Sequence, residues 1–458
     1  MAKTKHTMAK TKHKIAPVDE MMPAGKLFVY GLQHVLAMYA GAVAVPLIIA
    51  AAAGLSKSNT AFLINADLFT CGLATLLQTL GIWKIGIKIP VIQGVTFAAV
   101  TPMIIMAKTG GMPLIFGSVL VAGLFTFLLA PFFSKLIRFF PPIVTGSIIT
   151  IIGISLLPVG VNWAAGGIGN KNYGSLTFIA VAAIVLLTIL LINKFFKGFV
   201  SHIAVLIGLV VGLIVAIPLG LVNFSGVSAA PWLGIDYPFA FGMPTFDLGA
   251  ILAMILVMLV VMVESTGDFL AIGQMVGKKI GEKELTAGLR ADGLATALGG
   301  IFNAFPYTAF AQNVGLVGLT GVKSRFVVAT SGAILVVMGL IPKLATIIAS
   351  FPNAVLGGAG IAMFGIVAAS GIKTLTKVDF EKNANNIFIV AISIGIGLIP
   401  LVAPDFFKAF PSWSQTIMHS GITLGSITAI LLNAFFNGGK GAGDLDDLKD
   451  NAENGRIS

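Results

Sequence analysis

Glu264 lies in a stretch that disfavours charge. The run from Ile251 to Met275 reads ILAMILVMLVVMVESTGDFLAIGQM, and thirteen apolar residues precede the carboxylate. A carboxylate at membrane depth costs about 2.5 kcal/mol or more, so such groups face a polar cavity or a partner. Glu264 can accept N–H bonds from a ligand or carry a proton. Asp268 follows one helical turn later. It either shares the face of Glu264, where two neighbouring carboxylates favour sharing a proton, or ends the helix near Lys278. Gln312 offers a donor and an acceptor on one amide, an edge that suits a cyclic urea or lactam. Gln93 and Asn313 offer the same chemistry, although an amide in a helix bundle often ties two helices together. Asp292, in RADGLATALGG, either pairs with Arg290 at the interface or is a second titratable group inside the bundle; the second reading is favoured. His34, in GLQHVLAMYAG, reads as a residue that orients neighbours, and Asp67, in LINADLF, as one that caps or ties span ends.

Two interrupted segments must position these groups. Residues 89–107 contain IPVIQGVTFAAVTPM, and residues 307–320 follow Phe305-Pro306 and lead into AFAQNVGLVGLTG. Proline removes a backbone donor and biases the preceding residue away from helix. Irregular backbone at membrane depth is tolerated where it is buried in protein or lines a cavity. Each segment therefore reads as a short extended element followed by a half-helix whose N-terminus points at a shared space. The two belong to a wider repeat. FPPIVTGSIITIIGI from Phe140 and FPNAVLGGAGIAMFGI from Phe351 share Phe, Pro, Val and Gly at an offset of 211, and Gln93 and Gln312 are 219 apart. A repeat of seven spans inverts its second copy in the membrane, a secondary-transporter signature.

The chain is 57% hydrophobic and 10% charged with a mean hydropathy of +0.99, far from the roughly 25% charged residues of soluble domains. Fourteen apolar stretches recur between residues 27 and 437. The expected fold is an all-α polytopic membrane protein of fourteen spans in a 7+7 inverted repeat. Its parts are an N-terminal tail (1–25), a first repeat (26–223), an outer loop (224–246), a second repeat (247–437) and a C-terminal tail (438–458). The N-tail, with MAKTKH written twice, reads as disordered, and its His6 and His13 as non-ligating. With the N-terminus inside, 24 of the 29 Lys and Arg fall on the inner side and five (Lys57, Lys108, Lys171, Lys343 and Lys408) on the outer. That asymmetry places both termini in the cytoplasm of a plasma-membrane protein. It also explains the net charge of +11 without nucleic acid. One cysteine, Cys71, excludes an internal disulfide. No phosphate-binding loop, nucleophile triad or metal-ligand spacing is present, so neither an enzyme nor a cofactor or metal is expected.

At these residues a family resemblance emerges. QNVGLVGLTG, Gln312 to Gly321, resembles the signature of the nucleobase–ascorbate transporter (nucleobase:cation symporter-2) family: Gln, Glu or Pro, then Asn, any residue, Gly, four of any kind, Thr, and Arg, Lys or Gly. Gln33-His34, VESTGDF (Val263 to Phe269) and RADGL fit in order, and the resemblance spans about residues 25–437. Within the family the chain is most similar to bacterial xanthine permeases. The resemblance implies a core domain (spans one to four and eight to eleven) and a gate domain (five to seven and twelve to fourteen). It further implies that Glu264 binds ring N–H groups and Gln312 the purine edge, with Gln93, Asn313, Phe97 and Ala98 in the binding region and Thr320 shaping specificity. Asp292, His34 and Asp268, with Glu264, would serve proton coupling. A homodimer joined through the gates and proton symport of a purine, xanthine above all, complete the expectation. Many xanthine carriers have a polar residue where QGVTFAA places Ala98, which leaves uric acid or a broader purine range open. An anion exchanger of related architecture is the rival class, although it would favour a basic residue at mid-membrane.

Overall fold

The computed structural model describes residues 16–411 and 414–438. The MAKTKH repeat, His6, His13 and the acidic C-terminal end lie outside the described residues. The chain forms α1 (Ala24–Ala52), α2 (Lys57–Leu80), β1 (Gln93–Val95), α3 (Val100–Thr109), α4 (Gly111–Leu129), α5 (Phe133–Leu136), α6 (Pro142–Ala164), α7 (Leu176–Phe195), α8 (Phe199–His202) and α9 (Ala204–Ala216). After a long loop come α10 (Leu248–Val276), α11 (Glu282–Ile301), β2 (Tyr307–Ala309), α12 (Ala311–Thr320), α13 (Arg325–Gly339), α14 (Pro342–Ile348), α15 (Asn353–Leu375), α16 (Asn385–Val402), α17 (Gln415–Met418) and α18 (Gly421–Asn437).

Among the described residues, eight helices are long and apolar enough to cross a membrane, and α13 with α14, bent by 85°, brings the number to nine if the pair is counted as one span. Every one of the fourteen predicted stretches falls on a helical element, but not on a full-length apolar helix. Two are broken, α3 and α12 being ten residues each behind a three-residue strand. Others, such as α9 and α18, are 13 and 17 residues long.

The packing is paired. α2 lies along α13 and α4 along α11; α1 touches α13 as α10 touches α4; α7 packs on α9 and α15, as α16 packs on α18 and α6. Two pairs meet at the centre of this pattern. One is β1 with β2, antiparallel, with Gln93 opposite Ala309, Gly94 opposite Thr308 and Val95 opposite Tyr307. The other is α6 with α15, each 23 residues long, with starts at 142 and 353 that preserve the offset of 211. The strands start at 93 and 307, an offset of 214, so the counterpart of Gln93 is Tyr307 and not Gln312. The 219 spacing of the two glutamines therefore reflects no structural equivalence, and by strand alignment Gln312 corresponds to Ala98.

The end of the N-terminal tail is docked, contrary to the disordered reading. A 3-10 turn at Pro17–Asp19 buries Val18, Asp19 pairs with Arg325 Nε at 2.6 Å, and the Glu20 carbonyl accepts from Ser324 Oγ at 2.6 Å. The apolar Val18 and the cation at the start of α13 supply the attachment that composition alone did not show.

Small residues let α6 and α15 approach closely. A Cβ at Gly153 would fall on the backbone of Ala368, and one at Gly357 on the backbone of Ala164. Overpacking costs about 1–3 kcal/mol where side chains can yield, and backbone cannot. Gly153→Leu is therefore expected to lower the melting temperature of the detergent-purified protein and its monodisperse yield. Gly365→Leu, on an open face of α15 with nothing within 4 Å of its Cβ, is expected to leave both unchanged.

Candidate substrate cavity

The broken segments leave backbone groups that must be satisfied away from water. β1 and β2 satisfy one another, and the ladder extends through Thr96 N–H to Pro306 O (3.0 Å) and Phe310 N–H to Ile92 O (3.1 Å). The outward N–H groups of the ribbon find hydroxyls on the surrounding helices. Gln93 N–H donates to Thr75 Oγ1 of α2 (3.0 Å), Tyr307 N–H to Thr296 Oγ1 of α11 (3.1 Å) and Ala309 N–H to Ser265 Oγ of α10 (3.1 Å). Asp67, buried in mid-helix, accepts from the Tyr307 hydroxyl at 3.0 Å; it ties α2 to β2 and caps nothing. Gly94 is required here, because a Cβ would strike the Phe310 ring.

Beside this ribbon lies a cavity of about 970 Å³. The segment after β1 contributes Phe97 and Ala98, α10 contributes Glu264, Gly267 and Asp268, and the start of α12 contributes Ala311 and Gln312. α6 and α15 form the opposite wall. The cavity reaches solvent at Lys373, Thr376 and Lys377, where α15 ends. The Phe97 ring meets Phe364 of α15 edge-on at 5.9 Å. The side chains of Glu264 and Gln312 have no hydrogen-bond or ion-pair partner among the described residues. α12 has no side-chain N-cap; the Asn313 N–H bonds the Phe310 carbonyl at 3.0 Å, which leaves the N–H groups of Ala311 and Gln312, both residues of the cavity lining, without an intrahelical acceptor.

Five of the expected site residues thus fall into the cavity or onto its wall, and five (Gln93, Asn313, His34, Asp292 and Thr320) do not. Glu264, Gln312, Ala98, Phe97 and Asp268 line it, and Thr96 and Thr308 join them. Asp268 does not end the helix near Lys278: that lysine donates instead to the carbonyls of Ile87 and Lys88. Gln93 does not line the cavity. Its carbonyl accepts from the Cys71 thiol and its side chain lies beside Asp292, because the bond to Thr75 holds this end of β1 against α2. Asn313 is turned away as well. One residue is about 100° of helix rotation, so Gln312 faces the cavity while Asn313 Nδ2 meets His34 Nδ1 (3.1 Å) and donates to His34 O (2.9 Å). His34 accordingly joins α1 to α12. Asp292 is fully buried behind the ribbon, where Oδ1 accepts from Gln78 Nε2 at 2.7 Å and Oδ2 has no partner. It makes no ion pair with Arg290, whose guanidinium stacks over Phe127. Thr320, at the far end of α12, bonds the Leu316 carbonyl and does not line the cavity.

The Xan_ur_permease family, described as a permease family, matches residues 25–406. The chain belongs to this family of nucleobase:cation symporter-2 carriers. It is 49% identical over 431 residues to the uric acid transporter UacT of Escherichia coli K12, covering 93% of this chain and 89% of that one. It is 48% identical over 413 residues to the xanthine permease of Bacillus subtilis 168, covering 90% and 94%. The transmembrane domain of the cyanobacterial bicarbonate transporter BicA shares the fold, with a TM-score of 0.60 at 16% identity over 89% of this chain and 97% of that one. The protein is therefore a multi-pass membrane permease of the purine nucleobase class, in a transporter and not an enzyme family.

Three residues that support the walls of the permease cavity from behind escaped the sequence reading. Phe364 had a signal, a lone aromatic in the Gly-rich face GGAGIAMFG. Gln78, an amide in the apolar run of α2, was as visible as Gln93. Ser265 was weighed only as a nucleophile, whereas its hydroxyl accepts from a strand N–H.

The opposed faces of Gln312 and Asn313 can be read by labelling. In a Cys71→Ser background, Gln312→Cys is expected to react with a bulky water-soluble maleimide as fast as the mouth control Thr376→Cys. Asn313→Cys should remain largely unlabelled until the protein is denatured.

Proposed function

We propose that the permease imports an oxopurine by proton symport, with xanthine as the first candidate and uric acid as the second. The observation that carries this reading is the pair of unpartnered groups in the cavity. Glu264 presents carboxylate acceptors for ring N–H groups, while Gln312 presents an acceptor and two donors to a lactam edge. A planar base lying against the ribbon would meet both, and the open N–H groups of α12 would favour its oxo edge. Ala98, a small apolar residue, leaves room for the extra oxo group of uric acid. The relatives include carriers named for each base, in keeping with that breadth.

The finer architecture belongs to the same proposal. The paired packing and the two central pairs, β1 with β2 and α6 with α15, support fourteen spans in a 7+7 inverted repeat, with a gate built from α6, α7, α9, α15, α16 and α18. The cationic mouth at Lys373 and Lys377 supports an inward-open state with both termini cytoplasmic. Glu264 holds the coupling proton beside Asp268. Asp292 with Gln78, and His34 with Asn313, brace the helices that carry the site. Protonation of Glu264 removes a buried charge as the core moves against the gate, and a homodimer through the gates would fix that frame. Anion exchange is the weaker reading: the likeness to BicA is one of fold, and the cationic groups lining the cavity, Lys373 and Lys377, stand at its mouth.

Uptake of radiolabelled xanthine by cells lacking their own purine carriers tests the proposal. Saturable uptake that collapses with a protonophore, and competition by uric acid but not uracil, are expected. Loss of a hydrogen bond to a charged group is worth about 1.5–3 kcal/mol, so Glu264→Ala should lower uptake efficiency roughly 10- to 100-fold or more. Undiminished uptake by Glu264→Ala overturns the site, and uptake that persists with the protonophore overturns proton coupling.

A further inference from the structure

A second cavity lies at the other end of the molecule. Its volume is about 420 Å³, and it is enclosed by the start of α2, the loop before α10 and the start of α14. α2 begins at this cavity and ends at Leu80, where the Gln78 carbonyl accepts from Lys88, whose own carbonyl is held by Lys278 just beyond α10. The loop before α10 thus lies at the face opposite to the one where α2 and α10 end.

Two buried acceptors in this cavity lack partners. Asp236 is 7% exposed and its Oδ2 is unbonded; Asn65 is 3% exposed and its Oδ1 is unbonded. A buried polar group left unsatisfied costs about 1–3 kcal/mol, so both are set to receive donors. Lys57 adds a cation to the same lining. Its ammonium has three donors, one of which reaches the Asn223 carbonyl at 3.3 Å. Phe62, Pro231 and Pro342 supply flat apolar walls. Burial raises the Asp236 carboxyl to about 7, as expected for a group with no cation against it. A bound inorganic cation would need a compact oxygen shell and would be repelled by the lysine. Acceptors for N–H groups, an ammonium for an oxo or oxide oxygen and flat walls describe instead a planar oxo-heterocycle.

We infer that this vestibule, built on Asp236, Asn65 and Lys57, is a second purine site that captures substrate at the outer face before it reaches the main cavity. The inference rests on the purine-permease reading above. Asp236 and Asn65 take ring N–H groups, Lys57 takes the oxo edge and Phe62 packs on the ring. The loop carrying Asp236 closes one side of the site.

The test compares the two directions of xanthine transport in the full-length protein reconstituted in liposomes. Asp236→Asn replaces a pure acceptor by a mixed amide, and Ser225→Trp fills the exposed rim without touching the buried groups. Asp236→Asn is expected to raise the KM for transport inward from the vestibule face about tenfold, the worth of one charge-assisted hydrogen bond, and Ser225→Trp, which blocks the site, at least as much. The maximal inward rate and the KM measured from the Lys377 face should not change, while the maximal rate from that face falls by the same factor, because the driving force fixes the ratio of the two efficiencies. Equilibrium binding gives a reading independent of turnover. Glu264→Ala protein should retain weak saturable binding of labelled xanthine, which Ser225→Trp added to it abolishes. Unchanged KM in both variants, equal KM shifts from both faces, or no residual binding in Glu264→Ala each overturns the vestibule site while leaving the main cavity intact. A wild type that moves no purine in either direction overturns the transport reading, and the vestibule with it.

Discussion

Everything at the site depends on one backbone problem, the interruption of two helices inside an apolar bundle. In lipid or in a packed core an unsatisfied N–H or C=O costs several kcal/mol, and a short isolated ribbon would leave both of its edges bare. β1 and β2 solve half of the problem by pairing with each other. Thr75, Thr296 and Ser265 solve the other half by presenting hydroxyl acceptors to the outward N–H groups. With the ribbon fixed in this way, α12 starts at a defined place and orientation. That places Gln312 in the cavity and Asn313 against His34. The carboxylate of Glu264 then needs only the helical geometry of α10 to face the same space.

The division of labour among polar residues follows from this scaffold. Residues bonded to other protein groups, such as Gln78, Asp292, Asn313 and His34, connect helices and keep the bundle in register. The side chains of Glu264 and Gln312 have no such duty and remain free for a ligand. A carrier needs both kinds: binding groups left unpaired at rest, and a rigid frame that moves as a unit. Close helix contacts at Gly153 and Gly357, on the α6–α15 pair, provide a small-residue surface on the other side of the cavity.

Much of this was legible in the sequence. Composition and recurring apolar runs identify a membrane bundle, and proline before each glutamine-bearing segment marks the interruptions. Glu264 stands out because charge at that depth needs a reason. The signature beginning at Gln312 led to the family that the comparisons bear out. What remained hidden required three dimensions. Gln93 and Gln312 have the same chemistry and similar local context, yet strand pairing sends one toward Asp292 and helix rotation sends the other toward the cavity. The docking of Val18 and Asp19 depends on Arg325, some three hundred positions away in sequence. Phe364 matters only because α15 crosses in front of Phe97.

The most direct test of the central claim is an experimental density map of the protein with xanthine bound. The account predicts planar density between the ribbon and α15, with one edge within hydrogen-bond distance of Glu264 and the other of Gln312. Density that lies elsewhere, or that contacts neither side chain, would contradict it.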